Sequence, residues 1–261
     1  MNCLFSLTLP QRRIPIDNPQ GPKRIKKIFN TIASRYDLAN HLLSLWTDRR
    51  WRRKAVQFAA PQAGQVLLDM CCGTGDMVFT FLKAQPRLKM PAGCDLSEEM
   101  LKLAEKKQAS IGKSLAGANT IRWLRCDCLE TGLEDETFDI ISCAFGVRNM
   151  ANLKKGLTEM HRLLKPGGKV CILEFSLPRN TVIRLAYLFY FRYILPIFAA
   201  LITGKYTEYK YLVSSVMRWH KEIKLCDELA GAGFGEVAEF KHSFGLATTY
   251  LACKRCYTDT S

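Results

Sequence analysis

The residue types best suited to chemistry sit together in one short run. In 66–76, VLLDMCCGTGD, the residues Asp69, Gly73, Thr74, Gly75 and Asp76 stand where an apolar strand gives way to a helix. Glycines at such a turn let backbone approach a ligand with no Cβ in the way. About twenty residues on, GCD at 93–95 closes a second apolar run on Asp95, placed to accept hydrogen bonds from both hydroxyls of a ribose. A glycine turn alone says little, but one followed by an acid at the second strand end points to a nucleoside cofactor. The frame lacks the third glycine of G-x-G-x-x-G, and its carboxylates would repel phosphate. The favoured ligand is therefore a cationic nucleoside without phosphates.

Arg148 and Asn149 follow the apolar run IISCAF, and strand carboxyl ends in an open α/β sheet face the ligand crevice. A guanidinium and an amide there can hydrogen-bond an oxygen as it gains negative charge. The competing role for Arg148 is a salt bridge that holds the loop.

These residues need a scaffold that gathers strand ends. From Val66 onward, short apolar runs ending in Gly or Asp alternate with amphipathic stretches: VLLDM, a helix from Gly75, MPAGCD, a helix from Ser97, IRWLRC, IISCAF, a helix from Asn152, and KVCILEF. That alternation predicts βαβ units, a mostly parallel seven-stranded sheet and helices on both faces. Lys165-Pro166-Gly167-Gly168 reads as a type II turn feeding the fifth strand. His161 falls inside a helix and reads as structural. A helix near 221–232 and strands at 236–240 and 248–254 close the chain. Residues 1–22 form a Pro-containing, mobile start, and 23–261 one domain, with a helical lid over 23–60 whose helical pattern runs from Ile25 to Ala60. The run TVIRLAYLFYFRYILPIFAALITG (181–204), within an insertion over 181–215, is interrupted by Arg184 and Arg192 and broken by Pro196. It therefore predicts a cover over an apolar pocket or an interfacial helix, not a membrane span.

Composition supports a packed fold: 48% of the 261 residues are apolar and 24% charged, with a formal net charge of +14. Residues 1–60 hold twelve basic residues against Asp17, Asp37 and Asp48, a balance that suits an anionic partner surface or simply a solvated face. The 11 cysteines are odd in number and lie mostly in strand-like runs, so they read as small hydrophobes in a reducing cytosol, without disulfides. Neither Cys126-x-Cys128 nor Cys253-x-x-Cys256 has a second half at ligand spacing, so no metal is expected. The N-terminal apolar run carries its arginines after it, the reverse of a secretory signal.

The pairing of Asp69–Asp76 with Asp95 resembles motifs I and II of class I S-adenosylmethionine-dependent methyltransferases, which have a Rossmann-like fold. Three further segments narrow the likeness: Tyr36-Asp37-x-x-Asn40-x-x-x-Ser44 with Trp51, Phe145-Gly146-Val147-Arg148-Asn149, and Arg162-x-x-Lys165-Pro166-Gly167-Gly168 through Glu174-x-Ser176. Together they resemble the signatures of the ubiquinone/menaquinone biosynthesis C-methyltransferases over about residues 24–254. The resemblance implies S-adenosylmethionine as cofactor, with Gly73, Thr74 and Gly75 at its methionine end and Asp95 on its ribose. It implies Asp127 and the Cys128 N–H at adenine, Asp127 having a turn-capping role as its alternative, and Ala144 at the same crevice. The implied substrate is a prenylated quinol, most like demethylmenaquinol, because LFYFRYILP and the tyrosines at 206, 209 and 211 look like the menaquinone branch. Arg148, Asn149 and Tyr36 would stabilise its phenolate, with Tyr211 as the alternative phenol and Asp37 as the general base. His161 and His220 are alternatives to that base. The implied protein is cytoplasmic and peripheral at the inner face of the membrane, with transient contact to anionic lipid and a homodimer left open. The [DN]-P-P-[YF] corner common in methylation of bases is absent, so no nucleic-acid partner is expected; an RNA or other small-molecule methyltransferase of the same fold, or a ubiquinone-pathway enzyme, is the alternative. The sequence departs from the signature at Ala39, Asp48 and Trp219-His220, and Ala144 replaces a hydroxyl seen in some relatives.

Overall fold

The computed structural model describes residues 41, 44, 46–111, 120–194, 215–219 and 222–256. Within them the central apolar runs form strands that bury both faces, as inner strands of a parallel sheet must, while the edge strands stay half-exposed. β1 (Val66–Met70) is buried at every position. β2 (Lys89–Asp95), β3 (Arg122–Arg125), β4 (Phe138–Ala144), β5 (Leu164–Phe175), β6 (Phe234–His242) and β7 (Ala247–Lys254) complete a seven-stranded sheet in the order β3-β2-β1-β4-β5-β7-β6. β7 runs antiparallel to both neighbours and the other pairings are parallel.

Strand order reverses between β1 and β4, and ligands bind outside the carboxyl ends at such a point. Register levels those ends: Asp69 pairs with Ser142, Met70 with Cys94, and Asp95 with Arg125.

Helices cover both faces. One apolar layer combines α1 (Asp48–Ala59), α2 (Asp76–Ala84) and α5 (Thr181–Phe189); the other combines α4 (Leu153–Leu163) and α6 (Leu225–Gly231). α3 (Glu98–Ile111) packs against β2 and β3. The Asn152 side chain caps α4 by accepting from the Lys155 N–H at 2.9 Å, and Asn180 caps α5 by accepting from the N–H groups of Val182 and Ile183. Losing such a cap costs about 1 kcal/mol.

The Lys165–Gly168 turn exists as a bulge rather than a separate loop. Leu164 pairs with Phe138, pairing resumes at Lys169 with Ile140, and Gly167 takes φ 76 between them. Of the helical pattern over 25–60, the described residues show the final helix, α1, which ends at Ala59. Turn residues intervene at Ser44 and Trp46, Trp46 has φ 62, and α1 begins only at Asp48. A left-handed tryptophan cannot continue a right-handed helix. α5 runs on into a π-helical turn, Tyr190–Ile194. No described helix is long and apolar enough to cross a membrane. Tyr36, Asp37, Ala39, the tyrosines at 206, 209 and 211, and His220 lie outside the described residues.

Candidate active site

The turn after β1 is shaped by what surrounds it. Gly75 opens α2 at φ 82, and a Cβ there would stand 2.5 Å from the Trp123 ring, so both conformation and space require glycine. Gly73 takes φ 54 and its N–H donates to Asp95 Oδ2 at 2.9 Å; the Ser97 N–H donates to Oδ1 at 2.8 Å. Asp95 is thus held at the β2 end and half-buried, and burial pushes its carboxyl up to about 6.

Asp69, expected among the cofactor contacts, lies beneath them. It is 1% exposed, accepts from Ser142 Oγ at 2.6 Å, and burial pushes it up to about 7. It fixes the floor of the crevice and does not line its surface. Thr74 is buried too, its hydroxyl receiving Lys107 Nζ at 2.8 Å, and the same ammonium lies 2.7 Å from Asp76. Burial raises Asp76, but the Arg52 and Lys107 charges outweigh it and hold the carboxyl below its usual range. Three carboxyls around a Gly-Thr-Gly turn make a floor that suits a cation.

Asp127 is exposed and accepts from the Leu129 N–H at 2.9 Å, which is the capping role. Its carboxylate keeps acceptor capacity for a second partner. Cys128 is buried beside it, and its Sγ receives Cys71 Sγ at 3.3 Å. Ala144 is half-buried at the β4 end.

The corner after β4 presses on the same turn. Gly146 lies so close that a Cβ would meet Cys71 Cβ at 2.6 Å and Cys143 Sγ at 2.8 Å. Phe145 takes φ 61 while fully buried, stacked on Phe175 at 4.5 Å. A bulky residue in the left-handed region is strain that the packing must hold.

Arg148 makes a buried ion pair at this corner. Its Nη1 donates to Glu174 Oε1 at 2.6 Å and to the Phe145 carbonyl at 2.7 Å, its Nε reaches Ser215 Oγ at 3.4 Å, and both charged side chains are wholly buried. Its Nη2 has no partner among the described residues. Asn149 is half-buried, its amide 3.4 Å from the same carbonyl.

Sequence reasoning missed four groups. Arg52 places its guanidinium 5.1 Å over the Phe145 ring. Asp48, buried within α1, accepts from Ser44 at 3.0 Å and contacts His41 Nδ1 at 2.7 Å, so the departure from the signature is absorbed by a buried polar cluster. Lys107 and Glu174 complete the set. Glu174, in the Glu174-x-Ser176 signature, and Asp48, a departure from the signature, carried a signal, but neither named its partner. Trp51, in the signature, is buried, with Nε1 donating to Ser243 Oγ at 2.9 Å, and Trp219 is buried as well. His161 packs edge-on against Phe234 at 5.1 Å, away from the crevice residues.

The profile of the ubiE/COQ5 methyltransferase family matches residues 18–254. The chain is 39% identical over 232 residues to the ubiquinone/menaquinone biosynthesis C-methyltransferase UbiE of Geobacter sulfurreducens, covering 89% of each. It is 34% identical to the demethylmenaquinone methyltransferase of Porphyromonas gingivalis, covering 94% of this chain and 99% of that one. Among solved structures, a SAM-dependent methyltransferase from Aquifex aeolicus superposes with a TM-score of 0.53 at 18% identity, over 78% of this chain and 89% of that one, a likeness of fold. The profile and the relatives span nearly the whole chain, and the sheet carries a glycine turn and an acidic β2 end at its switch point: the chain belongs to the ubiE/COQ5 methyltransferase family.

Proposed function

We propose that the chain methylates a ring carbon of a prenylated quinol, converting demethylmenaquinol to menaquinol. S-adenosylmethionine is the cofactor, and when bound it supplies an electrophilic methyl group on a sulfonium centre. The residues present fit it. The Asp69 and Asp95 carboxyls favour a cation, since both are held partly protonated by burial and gain charge as a cation approaches, while the one ammonium described at the turn, Lys107, is already paired with Asp76. In this reading the 73–75 turn holds the methionine part, Asp95 the ribose, and Asp127 with Cys128 the adenine edge.

The observation that carries the reading is the contact between two corners: Gly146, in the segment that ends at Asn149, lies against Cys71 of the cofactor turn, and Arg148 of that same segment is anchored to Glu174. In this reading the corner that binds the quinol oxygen lies beside the methyl-donor turn. In this proposal Arg148 Nη2 donates to the quinol oxygen as that oxygen loses its proton, Asn149 assists, and Tyr36 and Asp37 serve as hydrogen-bond donor to the phenolate and as base. The ring carbon ortho to that oxygen then carries the electron pair that forms the new C–C bond. Alignment of the reacting groups can contribute about 7–11 kcal/mol, so a strong base is not demanded.

The substrate's oily tail and a seat on anionic lipid belong to the same proposal. On α5 and the turn after it, Val182, Leu185, Phe189 and Tyr193 are exposed, while Tyr187 and Phe191 face the core. An apolar outer stripe on a chain of charge +14 favours an interfacial position at an anionic membrane. The test is mass spectrometry of lipid quinones after the protein meets reduced demethylmenaquinone and methyl-labelled cofactor. Label on the naphthoquinol ring is expected; label only on a prenylated benzoquinol, or on RNA supplied in parallel, would overturn the assignment.

A further inference from the structure

Four cysteines from four separate strand ends converge beneath the cofactor turn. Cys71 follows β1, Cys94 lies in β2, Cys128 follows β3 and Cys143 lies in β4. Cys71 Sγ donates to Cys128 Sγ at 3.3 Å, Cys94 Sγ lies 3.9 Å from the same sulfur, and a Cβ on Gly146 would stand 2.8 Å from Cys143 Sγ. Sulfurs at 3.3 Å need about 1.3 Å of approach to reach the roughly 2.0 Å of a disulfide. Cys71 is half-buried and Cys128 is 7% exposed, so a water-sized oxidant needs only a small opening.

We propose that Cys71 and Cys128 are a modification site: hydroperoxide converts them to a reversible disulfide that disables the cofactor turn. Geometry selects this pair over Cys94 with Cys128. Charge picks out Cys128 as the thiolate: hydrogen bonds from Cys71 and Cys94 hold its thiol well below its usual range, whereas Cys71 and Cys94 are both pushed up. The first proton to leave the pair leaves Cys128, and a thiolate is the species that attacks peroxide. Its sulfur takes one oxygen, breaking the O–O bond and giving a sulfenic acid and hydroxide. Cys71 sulfur then attacks that sulfenic sulfur, displacing a second hydroxide. The two thiol protons convert both hydroxides to water, so two thiols and one hydrogen peroxide become one disulfide and two waters.

The functional consequence rests on the cofactor placement proposed above. Cys71 is two residues from Gly73 and Cys128 adjoins Asp127, so the bond drags the methionine and adenine sides of the site together. Misplacement by about 1 Å can cost 10²-fold in rate.

The experiment treats the full chain with hydrogen peroxide, blocks free thiols with N-ethylmaleimide, and maps disulfides by mass spectrometry of an unreduced digest. S-adenosylmethionine binding is followed by calorimetry before oxidation, after it, and after dithiothreitol. The expected result is a Cys71–Cys128 cross-link, a tenfold or greater loss of affinity, and recovery with dithiothreitol. Cys128→Ala and Cys71→Ala should each hold their own starting affinity through peroxide, and Cys94→Ala should still form the cross-link. A Cys94–Cys128 cross-link, no cross-link, or a cross-link without loss of affinity overturns the proposal while leaving the cofactor reading intact. Failure of the reduced protein to bind the cofactor overturns both.

Discussion

Arg148 Nη1 and Glu174 Oε1 are 2.6 Å apart with both side chains wholly buried, and this pair fastens the corner after β4 to the end of β5. The two partners are not equivalent. Glu174 can take up a proton, and burial already pushes its carboxyl up against the pull of Arg148; a guanidinium cannot give one away.

Removing the carboxylate should therefore be the more damaging change. Glu174→Gln strands a buried cation and should lower stability by about 3–5 kcal/mol. Arg148→Met should cost less at lower pH, where burial favours protonated Glu174, and more as pH rises and the carboxyl is forced to ionise. Denaturant unfolding of both variants at pH 6 and pH 9 checks this. Equal losses at both values for Arg148→Met would mean that Glu174 is solvated once its partner has gone. Turnover should fall in both variants, because Phe145 and Asn149 share the corner.

Cofactor binding should be linked to protons. Asp69 and Asp95 hold protons in the folded chain up to about pH 7 and 6, above the ordinary 3.8. A cation stabilises their ionised forms, so its arrival lowers both values and releases protons in the window between about pH 5 and 8. Affinity should rise with pH across that window and level off above it, and calorimetry in two buffers of different ionisation enthalpy should record the release. Asp69→Asn should remove the upper part of the pH dependence and Asp95→Asn the lower part, with at least tenfold weaker binding in the latter. A dissociation constant flat from pH 5.5 to 8 would sink this account.

How much of this was legible in the sequence follows from the range of each interaction. Strand ends announced themselves because Asp69, Asp95 and the Gly-Thr-Gly turn are local in the chain, and Pro166-Gly167 carries its own backbone geometry. The partnerships of Arg148 with Glu174, Lys107 with Asp76, and Cys71 with Cys128 join residues 26, 31 and 57 apart. No periodicity encodes them; they arise from the β3-β2-β1-β4-β5 order, which brings successive strand ends side by side. The cysteines were legible as small buried residues at Cys94, Cys143 and Cys171, but their gathering was not, and Cys253 and Cys256 are exposed. The helical pattern across 25–60 could not show where one helix starts, because apolar spacing does not reveal a left-handed residue such as Trp46 just before Asp48.

Gly146 should tolerate no side chain while Cys71 keeps its own Cβ. Gly146→Ala places a methyl 2.6 Å from Cys71 Cβ, an overlap that typically costs about 1–3 kcal/mol and here displaces the cofactor turn. Cys71→Gly removes the nearer obstacle, leaving only Cys143 Sγ at 2.8 Å to swing aside, and also relieves a left-handed residue at φ 54. The double variant should therefore recover part of the stability and cofactor affinity lost in Gly146→Ala alone. Thermal unfolding and calorimetric titration of the three proteins decide it, and no recovery in the double variant would place the strain elsewhere.

The outer stripe of α5 should act in membrane contact and not in folding. Leu185 and Phe189 are 61% and 58% exposed, so a glutamate at either leaves the core layer of Tyr187 and Phe191 untouched. Changing both should leave unfolding midpoint and S-adenosylmethionine affinity unchanged while sharply reducing cosedimentation with vesicles containing anionic phospholipid. Salt should weaken the parent's binding to those vesicles because basic residues share the work, and neutral vesicles should retain less of it. Turnover on a long-chain quinol in vesicles should fall with the binding, whereas a short-chain quinol in solution should react as before. Undiminished sedimentation of the double variant would show that the stripe is covered by the protein itself.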